Sequence, residues 1–125
     1  MTQELIERVK TFTHQGLEIL LIDYSNVKRP DEMIEILNQS VKILKSKPEL
    51  KHVLTNVTDA NMGGEFMGEL KKTVAHFYDQ RIEKAAVYGI EGVKRVLHRA
   101  VSAKKNESQN ESFETREEAL AWLIE

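Results

Sequence analysis

The sequence predicts an α/β fold, a mixed and mostly parallel sheet of about five strands that opens with an antiparallel hairpin and is packed by about four helices. Three observations lead there. Strand-like segments alternate with segments whose apolar residues return at three- and four-residue steps, an alternation that demands mostly parallel pairing with right-handed crossovers. Two β-compatible segments near the N-terminus are separated only by Gln15-Gly16, a turn with a glycine available for positive φ. The 125 residues match one domain, residues 1–125, with a core that removes roughly two thirds of the unfolded surface from water.

Along the chain, residues 5–10 form a short helix or a lead-in, and residues 11–14 and 17–24 are the arms of the hairpin. After Glu18 the second arm is apolar on both faces, as a central strand covered on each side should be. Pro30-Asp31-Glu32 opens the first long helix with a fixed φ and two carboxylates at the positive end of the dipole, while Lys42, Lys45 and Lys47 gather at the other end. Its stripe is Ile34, Leu37, Val41 and Leu44, and it stops near Lys47, before Pro48. Residues 52–58 read as a strand, and Phe66, Leu70, Val74 and Phe77 as the stripe of a second helix. A strand follows at residues 84–88, where Ala85-Ala86-Val87 lets a helix pack closely, and Val93, Val96, Leu97, Ala100 and Val101 mark the next helix. Residues 104–110 are a polar loop and residues 112–114 a short edge strand. Thr115 and Glu118 then spell a capping box before the final helix.

Composition narrows the function classes. Hydrophobic residues make up 41% and charged residues 30%, too apolar for disorder and too charged for a membrane protein. No apolar run approaches the roughly 20 residues of a membrane span, and Glu4 and Glu7 interrupt any signal-peptide core, so a soluble cytoplasmic protein is expected. The absence of cysteine removes disulfides, thiolate nucleophiles and cysteine-ligated zinc. With 18 basic and 20 acidic residues, no overall field draws the chain to nucleic acid. His14, His52, His76 and His98 have no metal-ligand spacing and no cofactor fingerprint is present, so neither a metal nor a cofactor is expected.

The segments 18–25, 55–59, 86–92 and 113–123, in that order and spacing, resemble the STAS fold, specifically the SpoIIAA-like group of small bacterial proteins similar to anti-sigma-factor antagonists. The resemblance covers most of the chain from Thr11 onward. It implies a regulatory module acting through protein contacts, with self-association as a homodimer. The wider family is switched by phosphorylation of a serine or threonine that follows an aspartate at the start of the helix after the third strand. Here Ala60 follows Asp59 and carries no oxygen to modify. The group also looks like the CRAL-TRIO lipid-carrier fold, which implies an apolar ligand and reversible membrane contact.

Open α/β sheets bind ligands beyond the carboxyl ends of their strands. Three such ends carry polar groups: Asp23, Tyr24 and Ser25; Thr58, Asp59, Ala60 and Asn61; and Tyr88 and Gly89. Gly63 and Gly64 lead into a helix whose N-terminus could approach an anion, although Asp59 or Asn61 capping that helix explains the same residues more simply. Gly64 and Gly68 suggest a flexible or closely packed helix start, whose movement could open a pocket under Phe66, Met67 and Leu70. Lys94, Arg95, His98 and Arg99 form a basic flank that could meet an anionic membrane surface or an acidic partner; an ordinary solvated face is the simpler account. The leading expectation is a non-enzymatic regulatory or ligand-binding module that takes a protein partner or a small apolar or anionic ligand. The alternatives are a lipid carrier and a small enzyme using Asp23 and Asp59.

Overall fold

The computed structural model describes residues 3–89 and 110–125. In order these contain α1 (Gln3–Glu7), β1 (Val9–His14), β2 (Leu17–Asp23), α2 (Pro30–Ser46), β3 (His52–Asn56), α3 (Gly64–Thr73), β4 (Lys84–Tyr88), β5 (Asn110–Phe113) and α4 (Arg116–Leu123). The five strands form one sheet in the order β1-β2-β3-β4-β5. β1 and β2 pair antiparallel, and every later pair is parallel. The helix expected around Val93 to Val101 and the basic flank Lys94, Arg95, His98 and Arg99 lie outside the described residues.

The hairpin turns on Gln15 and Gly16, at φ of 50° and 80°, a pair of positive angles that matches the right-handed twist of the flanking strands. Alternation along the strands then sorts side chains into two cores. Leu20, Ile22, Val53, Ala85 and Val87 join Leu5 and the buried faces of α2 and α3, while Ile19, Leu54 and Ala86 meet Ala119 and Leu123 of α4. Among the described residues, α1, α2 and α3 therefore pack on one face and α4 on the other. The capping box at Thr115 and Glu118 is present, and it starts α4.

Several boundaries differ from the sequence reading, each for a local reason. Val9 and Lys10 pair with Ile22 and Leu21, so the hairpin extends back into the expected lead-in. β3 ends at Asn56 because Asn56 Oδ1 accepts from both the N–H and the hydroxyl of Thr58, at 3.0 and 2.7 Å, which turns the chain out of the sheet. β5 includes Asn110 and Glu111, which the sequence reading left outside the strand, and ends before Glu114. On α2 the buried residues are Met33, Ile36, Leu37, Ser40 and Leu44, with Ile34 and Val41 on the flank. Ser40 takes a core position because its hydroxyl donates to Leu37 O at 2.6 Å, within the helix itself.

Past Thr73, α3 widens into a π-helical turn, Val74–Tyr78, and closes with a short turn, Asp79–Arg81. In an α-helix a four-residue step overshoots one turn, so the stripe Phe66, Leu70, Val74 drifts around the helix and a fourth apolar residue is expected three positions on, at Phe77. The wider turn reverses that drift. Tyr78 is buried in place of Phe77, which is only half-buried.

Candidate functional site

The parallel strands end along one edge of the sheet, and the loops leaving that edge are stitched together by main-chain bonds. Tyr24 N–H donates to Asn56 O at 2.8 Å, Asn26 to Thr58 O at 2.9 Å, Asn61 to Val27 O at 2.9 Å, Val57 to Tyr88 O at 3.0 Å and Gly89 to Phe113 O at 3.2 Å. Asn26, Asp59 and Gly89 sit at positive φ, which lets three tight loops approach one another. The sequence-selected polar residues are thus brought to one edge, and most of their polar atoms are engaged. Asp23 Oδ1 accepts from Ser25 N–H at 2.9 Å and lies 3.8 Å from Arg8 Nη1, which also donates to Ser25 O at 2.9 Å. Lys28 Nζ donates to Asp59 O, and Asn61 Nδ2 donates to Lys28 O at 2.8 Å.

Two expectations about this edge are corrected. Neither Asp59 nor Asn61 caps α3; the helix begins at Gly64, so the cap position falls on Gly63, which has no side chain to bond, while Asn61 Nδ2 donates to Lys28 O of the neighbouring loop. Gly64 and Gly68 are not sites of close packing, since a Cβ at either would meet nothing within 4 Å. Ala60, at the position that the resemblance makes a switch, is buried in the larger core.

Tyr24 departs from its polar neighbours. Its ring turns inward, edge-on to Phe66 with centroids 5.1 Å apart, and lines a cavity of about 40 Å³ between the sheet and α3. The floor includes a cross-sheet row, Ile22, Thr55 and Val87, which the register sets side by side on β2, β3 and β4. The roof is the α3 stripe, Phe66, Leu70, Val74 and Tyr78; Val57, Met62 and Asn110 complete the described lining. Met62 takes the place that the sequence reading gave to Met67.

The polar atoms of this cavity are few. Besides Tyr24, the described lining has polar side chains at Thr55, Tyr78 and Asn110. The Tyr24 hydroxyl is buried and has no hydrogen-bond partner among the described residues, as is true of Ser112 Oγ, which is next along the row from Val87 and is not part of the described lining. Burial pushes the Tyr24 phenol well above its ordinary pKa, with Tyr78 adding to the effect, and burial alone raises Tyr78 strongly. Both therefore remain neutral O–H groups at any physiological pH. Among the described residues no three His, Asp or Glu side chains gather as a metal would require.

Sequence reasoning selected Tyr24, Phe66 and Leu70 but missed Thr55, Val87, Tyr78 and Asn110. Strand alternation places Thr55 and Val87 on one face, yet only the inter-strand register makes them neighbours. Tyr78 was hidden by the π-helical turn, which apolar periodicity does not reveal.

Comparison with known proteins bears on the fold. No protein-family model and no curated protein matches the chain. Among solved structures it is similar to an uncharacterized protein from the DUF3478 family with a SpoIIAA-like fold, from Shewanella loihica PV-4. The TM-score is 0.63 at 17% identity, over 92% of this chain and 91% of that one. The fold is therefore SpoIIAA-like, as the order of elements implied. Among the described residues, no helix is long and apolar enough to cross a membrane.

Proposed function

We propose that this SpoIIAA-like chain is a non-enzymatic binding module, and that the cavity between the sheet and α3 is its ligand site. The observation that carries the reading is the cavity itself, mostly apolar and lined from both the sheet and the α3 segment; the hydroxyl of Tyr24, one of its lining residues, is buried without a partner among the described residues. An unmatched buried hydroxyl costs about 1–3 kcal/mol, and an apolar hollow with a few convergent polar groups is the usual form of a small-molecule site. The polar crevice at the sheet edge supports an anion less well. In the loop before α3 the amides of Ala60 and Asn61 already donate, to Val57 O and Val27 O. The Asp23 carboxylate is accounted for by the Ser25 turn and Arg8, which leaves little basis for an enzyme built on Asp23 and Asp59.

The cavity holds about 40 Å³, room for water or a small group but far below the roughly 300 Å³ or more of an ordinary ligand pocket. A larger guest needs the cavity to widen, and an outward movement of α3 would widen it. The first turns of α3 suit that movement: Gly64 and Gly68 each cost a helix about 1 kcal/mol relative to alanine, both face open space, and no side chain caps the helix. Occupancy would then alter the outer face of α3, a change that a partner protein could read. Methyl NMR of the whole chain, titrated with small apolar molecules, tests the reading. Saturable shifts at Leu70 and Val74 are expected, and their absence with every probe refutes it.

A further inference from the structure

From the register of the sheet, we infer that the outer edge of β1 docks a second copy of this chain, the two β1 strands pairing antiparallel about a two-fold axis at Thr11. β1 and β5 are the edges of the sheet, and β1 is the longer. Residues 90–109, outside the description, leave and rejoin the described chain beside β4 and β5, at the opposite edge. His14 and Leu17 flank the two-residue turn and so exchange main-chain bonds across the hairpin. The pattern recurs at every second residue, and Arg8 O, which accepts from Asp23 N–H at 2.9 Å, continues it. Lys10, Phe12 and His14 therefore direct their main-chain groups to β2, while those of Val9, Thr11 and Thr13 point outward; among the described residues no main-chain bond outside the hairpin engages these three. Edge strands are commonly guarded by proline, a bulge or charge. β1 has no proline, its pairing with β2 runs unbroken, and Lys10 is its one charged residue apart from the His14 imidazole. The side chains then select the register. With Thr11 on the axis, Val9 faces the partner's Thr13, Thr11 faces its counterpart and Thr13 faces the partner's Val9, which engages all the outward groups in about six main-chain bonds. These β-branched pairs share one face, and on the other each Lys10 lies opposite the partner's Phe12 rather than another cation. An axis at Lys10 sets two like charges face to face, and an axis at Phe12 leaves Val9 opposite the turn.

The test is sedimentation equilibrium of the full chain up to about 1 mM, because a single strand pair is a small interface of the weak, transient class. A doubling of mass with a dissociation constant of about 0.1–1 mM is expected. Thr11→Lys and Thr11→Glu each set like charges across the axis and should weaken the dimer by about tenfold or more, whereas an equal mixture of the two should restore it to within about threefold of the unaltered chain. Urea unfolding verifies that both variants fold, and amide hydrogen exchange of the unaltered chain decides the matter without them. Exchange at Thr11 and Thr13 should slow as concentration rises, while Lys10 and Phe12, whose amides already donate to β2, remain unchanged. A chain that stays monomeric overturns the inference and leaves the edge to an extended peptide of another protein. A dimer in which exchange at Thr11 and Thr13 ignores concentration overturns it in favour of another surface, and a mixture of folded Thr11→Lys and Thr11→Glu that stays monomeric overturns the axis at Thr11.

Discussion

Gly89 and Gly16 have nearly the same backbone angle, φ of 86° and 80°, and should respond very differently to the same substitution. A Cβ on Gly16 meets nothing within 4 Å. A Cβ on Gly89 would fall on Thr58 Oγ1 and lie 2.8 Å from Thr58 N and 3.0 Å from Thr58 Cα, and main-chain atoms cannot rotate away. Asparagine tolerates positive φ better than other non-glycine residues, so Gly16→Asn should cost under about 1 kcal/mol. Gly89→Asn must in addition push the Thr58 loop aside. That loop accepts from Asn26 N–H at Thr58 O, and the adjoining Val57 N–H donates to Tyr88 O. Losing two such bonds at about 1 kcal/mol each, together with residual φ strain, brings the cost to about 3 kcal/mol. Urea unfolding followed by circular dichroism measures both variants. A Gly89→Asn loss within about 0.5 kcal/mol of the Gly16→Asn loss would refute the close approach, because φ alone would then explain the glycine. The sequence could nominate Gly89 for a ligand-binding turn; the geometry gives it a structural task, bringing two loops within main-chain contact.

The same distinction governs what was legible in the sequence. Features fixed within one turn or one strand were readable: Gln15-Gly16 as a hairpin turn, Pro30 as the start of α2, Thr115 and Glu118 as a capping box, and the alternation that orders the sheet. Features that depend on a distant partner were not. Asn61 has the chemistry of a helix cap, but Lys28 O, 33 residues away in sequence, takes its amide. Ser40 looks like a surface residue of α2 until its hydroxyl is seen to be satisfied by its own helix, which frees it for the core. The cavity combines both difficulties, since its floor is a row across three strands and its roof depends on a π-helical turn that exchanges Phe77 for Tyr78. Periodicity identifies the face that a helix buries; it does not reveal where that face fails to fill the space beneath it.

Three further outcomes are expected. Gly68→Ala should stabilise the chain by about 1 kcal/mol in urea unfolding, because the helix gains propensity and the new methyl meets nothing; a loss would mean that the site is packed. Arg81→Met should cost about 3 kcal/mol, since the guanidinium donates to Leu44 O at 2.6 Å and Lys47 O at 2.7 Å and so ties the end of α2 to the end of the α3 segment; a loss below 1 kcal/mol would contradict that role. His52 supplies a pH dependence whose sign is fixed by its surroundings. Burial lowers its pKa, outweighing the Glu83 carboxylate 3.9 Å away, and Lys84 acts in the same direction as burial. The folded chain then holds fewer protons at this site than the unfolded chain, whose imidazole titrates near pH 6.5. This contribution to stability is fully present above that pH and is lost as pH falls through and below it. The urea midpoint should therefore drop between pH 7.5 and pH 5.5, and His52→Gln should reduce the drop. The decisive quantity is the difference between the two proteins, and an identical drop in both would place the pH dependence elsewhere.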